Sequence, residues 1–240
     1  MDTFRQILQA ARQSNYGRYL VEEDAVFESV AGAVQQHMSQ YDASHDFHHV
    51  LRVVALSSKI LAAEFEAESE RHEWYRPDLI LLSALLHDVN DKKYAPPPST
   101  SGEEPVSKVA VVLRQAGIAE DEIEHVEQVV NHVSYSTEVK NPEKVREVLE
   151  DYPDLAVVQD ADRLDALGAI GVGRMFTYGG ARVPDASMQR SRAHIDEKLV
   201  KLEGMMKTDV GLKMAKERTE RLVTFSKWWD EEAALFEPEL

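Results

Sequence analysis

Three places in this sequence end an apolar helical run on side chains that bind metal ions. Leu81, Leu82, Ala84, Leu85 and Leu86 run straight into His87 and Asp88, with Asp91, Lys92 and Lys93 just beyond. His49 opens the run that carries Val50, Val53, Val54, Ile60 and Leu61, and Asp162 closes the run from Leu155 through Val158. Burying a His or an Asp beside an apolar helix end is costly unless something pairs with it. One metal ion can pair with several such groups at once. A lone His-Asp dipeptide means little, because a solvated helix end holds one by chance. Three such ends mean more, since helices of a bundle can converge on a shared pocket. Two imidazoles and two carboxylates without thiolate suit an octahedral ion that keeps water: manganese, magnesium, iron or cobalt rather than structural zinc.

Helical phase decides which of these groups point inward. His49 lies one turn before Val53 and should face the core, whereas His45 and His48 read as satisfied imidazoles of a polar helix start. Asp160 and Asp162 are about 200° apart on a helix and cannot both serve one site. Asp162 and Asp165 share a face. Asp91, four residues after His87, faces the same site if that helix continues. His37, His72, His125 and His194 read as ordinary surface or core-edge histidines.

The elements that must position these groups are helices. Apolar residues at helical spacing predict helices over 3–12 and 22–38, then one capped by Ser44 or Asp46 and running to about Glu66. Further helices are expected from Pro77, over 105–116 and 120–133, over 142–149, from 155 to about Tyr178, and over 193–207 and 209–235. Residues 95–105, rich in Pro and Ser, form a loop placed where it could cover a pocket. Residues 135–141 and 178–192 read as irregular. Gly168, Gly171 and Gly173 lack the preceding strand of a dinucleotide fingerprint, so they mark close helix packing. The fold class is all-α: a compact multi-helix bundle with its metal site at converging helix ends. A single domain spans 1–240, with a core of about 40–180 and the helices of 1–39 and 193–235 packed on it.

Composition bounds the function. The net charge is −16, from 27 basic and 43 acidic residues, which disfavours nucleic acid polymers and anionic membranes as partners. A small anion is still admissible, because a pocket can be locally positive. No apolar run approaches the ~20 residues that cross a bilayer, and no basic-then-apolar leader opens the chain. With no cysteine, disulfides and thiolate metal sites are excluded, and a cytoplasmic location is the expectation.

The ordered set His49, His87-Asp88, Asp162 resembles the HD-domain superfamily of metal-dependent phosphohydrolases. The strings Ser44 to Val53, Leu85 to Asp88 and Gln159 to Gly171 are similar to a small stand-alone branch that includes bacterial nucleoside-triphosphate pyrophosphohydrolases. The likeness covers roughly residues 40–235. It implies an HD-type domain with His49, His87, Asp88 and Asp162 as metal ligands. Asp91 would act on the attacking water, and Arg163 and Lys93 would contact phosphate as catalytic and binding groups. His132 would reach the pocket, and Arg182 would help neutralise a polyphosphate. The implied reaction is hydrolysis of a nucleoside or deoxynucleoside triphosphate to monophosphate and pyrophosphate. The cofactor would be one divalent ion, Mn2+ first, with Mg2+, Fe2+, Co2+ or Ni2+ as alternatives. The expected partners are a small anionic nucleotide and, at most, a second copy of the chain. Two rivals are a di-iron HD-type oxygenase and a non-catalytic nucleotide-binding module. The first needs extra histidines, but His125 and His132 stand about 10 Å apart along one helix, too far to serve metals ~3.5–4 Å apart.

Overall fold

The computed structural model describes residues 1–67, 72–90 and 107–234, and every regular element among them is helical. The first helices are α1 (Asp2–Gln13), α2 (Asp24–Met38) and α3 (Phe47–Glu66). Asp46 caps α3, accepting a 3.1 Å hydrogen bond from the His49 backbone N–H. Ser44, the other expected cap, turns its hydroxyl to Asp42 instead.

The centre of the molecule is α4 (Pro77–Leu86). Pro77 starts it without loss, because the first helical N–H has no intrahelical acceptor to miss. All ten of its residues are buried, as expected for a helix apolar all round. It packs between α3, α6 (Glu120–His132) and α9 (Asp154–Asp165), and α3 also lies directly on α9. Truncating a fully buried side chain here, such as Leu85→Ala, would cost about 2–5 kcal/mol. Helices α1 and α2 cover one side of this group, and α5 (Lys108–Gln115) packs on α2 and α6. No described helix is long and apolar enough to cross a membrane.

Several boundaries differ from expectation. Residues 135–140 form a short helix, α7 (Tyr135–Lys140), because Ser134 caps it by accepting from the Thr137 N–H at 3.2 Å. Helix α8 (Pro142–Asp151) follows directly. The long run expected from 155 to Tyr178 breaks in two. Gly168 has φ +69, a conformation disfavoured for other L-residues, and separates α9 from α10 (Gly168–Arg182). Helix α10 thus runs through the first part of the expected irregular stretch. Residues 183–187 are irregular as expected, and helix α11 (Met188–Glu197) takes up the end of that stretch, followed by a 3-10 segment (Leu199–Met205) and α12 (Asp209–Ala233).

One difference bears on the site. Helix α4 stops at Leu86, and residues 87–90 form a turn in which the Val89 N–H bonds to the Leu86 carbonyl. The continuing helix that would phase Asp91 with His87 is therefore absent. Asp91 and Lys93, like the loop expected over 95–105, lie outside the described residues.

Candidate metal centre

The ends of α3, α4 and α9 meet. His49 comes from the first turn of α3, His87 and Asp88 from the turn closing α4, and Asp162 from the last turn of α9. His49 Nε2 and His87 Nε2 stand 3.0 Å apart. His49 Nε2 lies 3.3 Å from Asp88 Oδ2 and 3.6 Å from Asp162 Oδ1. From His87 Nε2 the same two oxygens are at 3.5 and 3.8 Å. Two nitrogens and two carboxylate oxygens thus crowd one small volume, and the group His49, His87 and Asp162 can hold a metal ion.

The surrounding hydrogen bonds fix the orientation of both rings. His49 Nδ1 meets Asp165 Oδ2 at 2.7 Å, and His87 Nδ1 meets the Ala84 carbonyl at 2.9 Å. Both partners are acceptors, so both rings carry their proton on Nδ1 when neutral and turn Nε2 lone pairs toward each other. Two lone pairs at 3.0 Å facing two carboxylates repel unless a cation lies among them. Asp88 Oδ2 is buried and accepts no hydrogen bond among the described residues, because the nearest nitrogen offers none in that tautomer. This donor set of imidazole nitrogen and carboxylate oxygen fits a divalent ion, and the unpartnered Asp88 oxygen is the atom such an ion would satisfy.

The electrostatics agree. Burial and the charge of Arg174 push the His49 imidazole down, yet Asp165 and Asp88 outweigh them and raise it. Burial pushes Asp88 up, but His87 and His49 pull it well below the usual carboxylate range. Both shifts describe a pocket arranged to favour positive charge. Asp165 is itself held low: hydrogen bonds from His49 and Arg52 and the charge of Arg174 overcome its burial. Arg52 grips it through Nε at 2.7 Å and Nη2 at 3.0 Å. Asp165 was legible in the sequence only as a neighbour on the face of Asp162; its place is behind His49, orienting the ring as carboxylates commonly do for a metal-binding imidazole. Asp160 points the other way. It is buried and takes the backbone N–H groups of Lys207 and Thr208 at 2.8 Å each, anchoring the start of α12.

The centre opens into a cavity of about 440 Å³ lined by α9, α10, α11 and the start of α7. That volume is ordinary for a small-molecule site. His87, Asp88 and Asp162 form its floor, and Arg174, Tyr178, His194 and Lys198 stand in its walls. His45, expected to be an incidental polar residue, lines it too, with its ring 5.9 Å from that of His49 and 5.7 Å from that of Tyr178. His194 was likewise expected to be ordinary and also lines it. For the α10 part of the wall the sequence signal is helical spacing: Gly171, Arg174, Met175 and Tyr178 recur on one face of that helix.

Three expected phosphate or pocket contacts are directed elsewhere. Arg163 follows Asp162 by one residue, so it points about 100° away around the helix. It is buried, donates Nη1 to the Met205 carbonyl at 2.8 Å, and pairs through Nη2 with Glu138. Arg182 donates Nε to Asp42 Oδ2 at 2.9 Å and is not among the residues lining the cavity. His132 gives Nδ1 to the Gln128 carbonyl at 2.7 Å, and it is its neighbours Val133 and Ser134 that reach the wall. His125, a candidate for a second metal, is instead bonded to the buried Asp154 at 2.6 Å.

The HD domain family model matches residues 46–167, the span from the α3 cap through Asp162. The chain belongs to the HD-domain family. With that family and this site comes the class of enzyme: an HD-domain metal-dependent phosphohydrolase. A relative, YpgQ of Bacillus subtilis (strain 168), is 30% identical over 200 residues, covering 82% of this chain and 89% of the relative. YpgQ has been solved in complex with ADP. That structure matches this HD-domain chain with a TM-score of 0.62 at 25% identity, covering 87% of this chain and 96% of YpgQ. An HD-superfamily hydrolase from Bacillus thuringiensis matches with a TM-score of 0.56 at 26% identity, over 86% and 95% of the two chains. A protein from Lactobacillus plantarum shares the fold, with a TM-score of 0.69 at 24% identity, over 90% of this chain and all of that one.

Proposed function

We propose that this chain hydrolyses nucleoside or deoxynucleoside triphosphates to the monophosphate and pyrophosphate, using one divalent ion held by His49, His87, Asp88 and Asp162. The observation that carries this reading is the pairing of that ligand cluster with a cavity whose other charged lining residues are basic. Among the described residues, apart from the floor carboxylates Asp88 and Asp162, the lining charges are Arg174, Arg190 and Lys198, in a chain of net charge −16. A multiply charged anion is the substrate class this favours, and a similar protein was solved with a nucleotide bound.

A divalent ion at such a centre supplies Lewis acidity, polarising a phosphoryl oxygen and acidifying water. The protein's part is to hold both imidazoles in the tautomer that offers Nε2, through Asp165 and the Ala84 carbonyl. Arg174 in the cavity wall is fixed by the Ser44 carbonyl at 2.7 Å and Asp165 at 3.2 Å. It is thereby ordered beside the floor before any substrate arrives, with Asp165 balancing part of its charge. Asp91 orients or deprotonates the attacking water in this proposal, and Lys93 contacts phosphate. Mn2+ is the first choice of ion, since oxygen and imidazole ligands suit it.

The test is a screen of the metal-loaded protein against nucleoside mono-, di- and triphosphates, measuring phosphate and pyrophosphate separately. Pyrophosphate release from triphosphates is expected. Turnover of monophosphates alone would overturn the substrate while leaving the reaction class intact.

A further inference from the structure

The wall of the cavity opposite the HD helices is built by α11, which lies outside the span matched by the HD domain model. Arg190, His194 and Lys198 follow one another at intervals of four residues, so they form a single stripe on this helix and its C-cap. All three line the cavity, and Ser191 beside them does too. The side chains act on one another as a single charged surface. Burial pushes the His194 imidazole down, and the positive charges of Lys198 and Arg190 push it further, against the opposing charge of Glu197. Lys198 Nζ lies 4.7 Å over the ring of Tyr135, so α7 supports the far end of the stripe across the cavity.

The balance of charge says what this wall faces. With a divalent ion at the floor, Asp88 and Asp162 are neutralised. Among the described residues, the remaining charged groups of the cavity are then the cations Arg174, Arg190 and Lys198, with the His194 imidazole between the last two. Arg174 is committed to Asp165 and the Ser44 carbonyl. Among the described residues the Arg190 guanidinium is held by Glu197, at 2.8 and 2.9 Å, with both side chains more than half exposed. An exposed pair of this kind is weak, so a polyanion in the cavity can take Arg190 from Glu197 at little cost. A nucleoside offers no charge to such a wall, whereas the terminal phosphates of a triphosphate offer several.

We infer that the α11 stripe of Arg190, His194 and Lys198 is the binding subsite for the terminal phosphates of the substrate, the part that leaves as pyrophosphate. This rests on the triphosphate reading above and assigns the orientation within it: the reacting phosphorus over the metal floor, the leaving group against α11.

The test uses full-length, Mn2+-loaded protein, with inorganic pyrophosphate and adenosine monophosphate as separate calorimetric probes. In the double variant Arg190→Gln, Lys198→Met, pyrophosphate affinity should fall about 10- to 100-fold, the loss expected for two charge-assisted contacts. Adenosine monophosphate affinity should stay within twofold. Glu197→Gln, which releases Arg190, should tighten pyrophosphate binding, a gain that a merely structural stripe would not give. Pyrophosphate affinity within twofold of wild type in the double variant overturns the assignment. Equal weakening of both probes also overturns it, because the stripe would then be a general anion attractor. If the wild-type enzyme cleaves no triphosphate yet binds pyrophosphate through these residues, the proposed reaction fails and the subsite stands.

Discussion

Asp165 Oδ2 lies 2.7 Å from His49 Nδ1, and this one contact decides how the buried imidazole faces the ligand cluster. Asp165 is buried and held as a carboxylate by Arg52 and Arg174 as well as by His49. It binds nothing at the centre directly, yet it sets which nitrogen of His49 is free.

Replacing Asp165 with Asn should therefore weaken divalent-ion binding about 10- to 100-fold, the usual scale for losing a group behind a metal ligand. Titrating Mn2+ into metal-free protein measures it. Unchanged affinity would mean the His49 tautomer does not depend on this carboxylate.

Asp88 invites a different experiment. Its buried Oδ2 accepts no hydrogen bond among the described residues, so that oxygen holds no described donor in place. Asp88→Ala should leave the metal-free protein folded while abolishing metal-dependent stabilisation. For the wild type, an ion at a hundredfold its Kd should contribute about 2.7 kcal/mol. Melting curves with and without Mn2+ compare the two. An Asp88→Ala variant stabilised by Mn2+ as much as the wild type would remove Asp88 from the ligand set.

Arg163 separates a phosphate contact from a structural clamp. It joins α9 to Glu138 on α7 and to the Met205 carbonyl, and Lys207 also reaches Glu138, at 2.9 Å. Arg163→Met should cost about 3 kcal/mol, the low end for breaking a buried pair, because Lys207 remains to neutralise Glu138. For a chain of this size that is a fall of roughly 6–12 °C in Tm. A large rise in KM with Tm unchanged would restore Arg163 to the substrate.

Asp91→Asn tests the proposed chemistry at a residue outside the described part of the chain. If Asp91 handles the attacking water, kcat should fall about 10²–10⁴-fold with metal content and KM nearly unchanged. Unaltered kcat would remove it from the mechanism.

The helices and the ligand types were legible in the sequence because both depend on short-range order. The 3.6-residue period turns His49 inward one turn before Val53, and it sets Asp160 and Asp162 on different faces, where they indeed serve different neighbours. The ends of those apolar runs also showed where polar groups would be buried. Tertiary structure decided the rest, since contacts between distant segments leave no periodic trace. Asp165 reaches His49 across 116 residues, so its shared face with Asp162 could not show which helix start it would orient. Arg163 looked available beside Asp162, but its helical phase points it at α7, an element that forms because Ser134 caps it within a stretch rich in turn formers. Gly168 broke the expected long helix at a positive φ. That break redirects α10 and places Arg174 between the cavity and Asp165. The sequence thus determined which side chains could bind a metal; the packing of α3, α4, α9, α10 and α11 decided which of them meet and what stands opposite them.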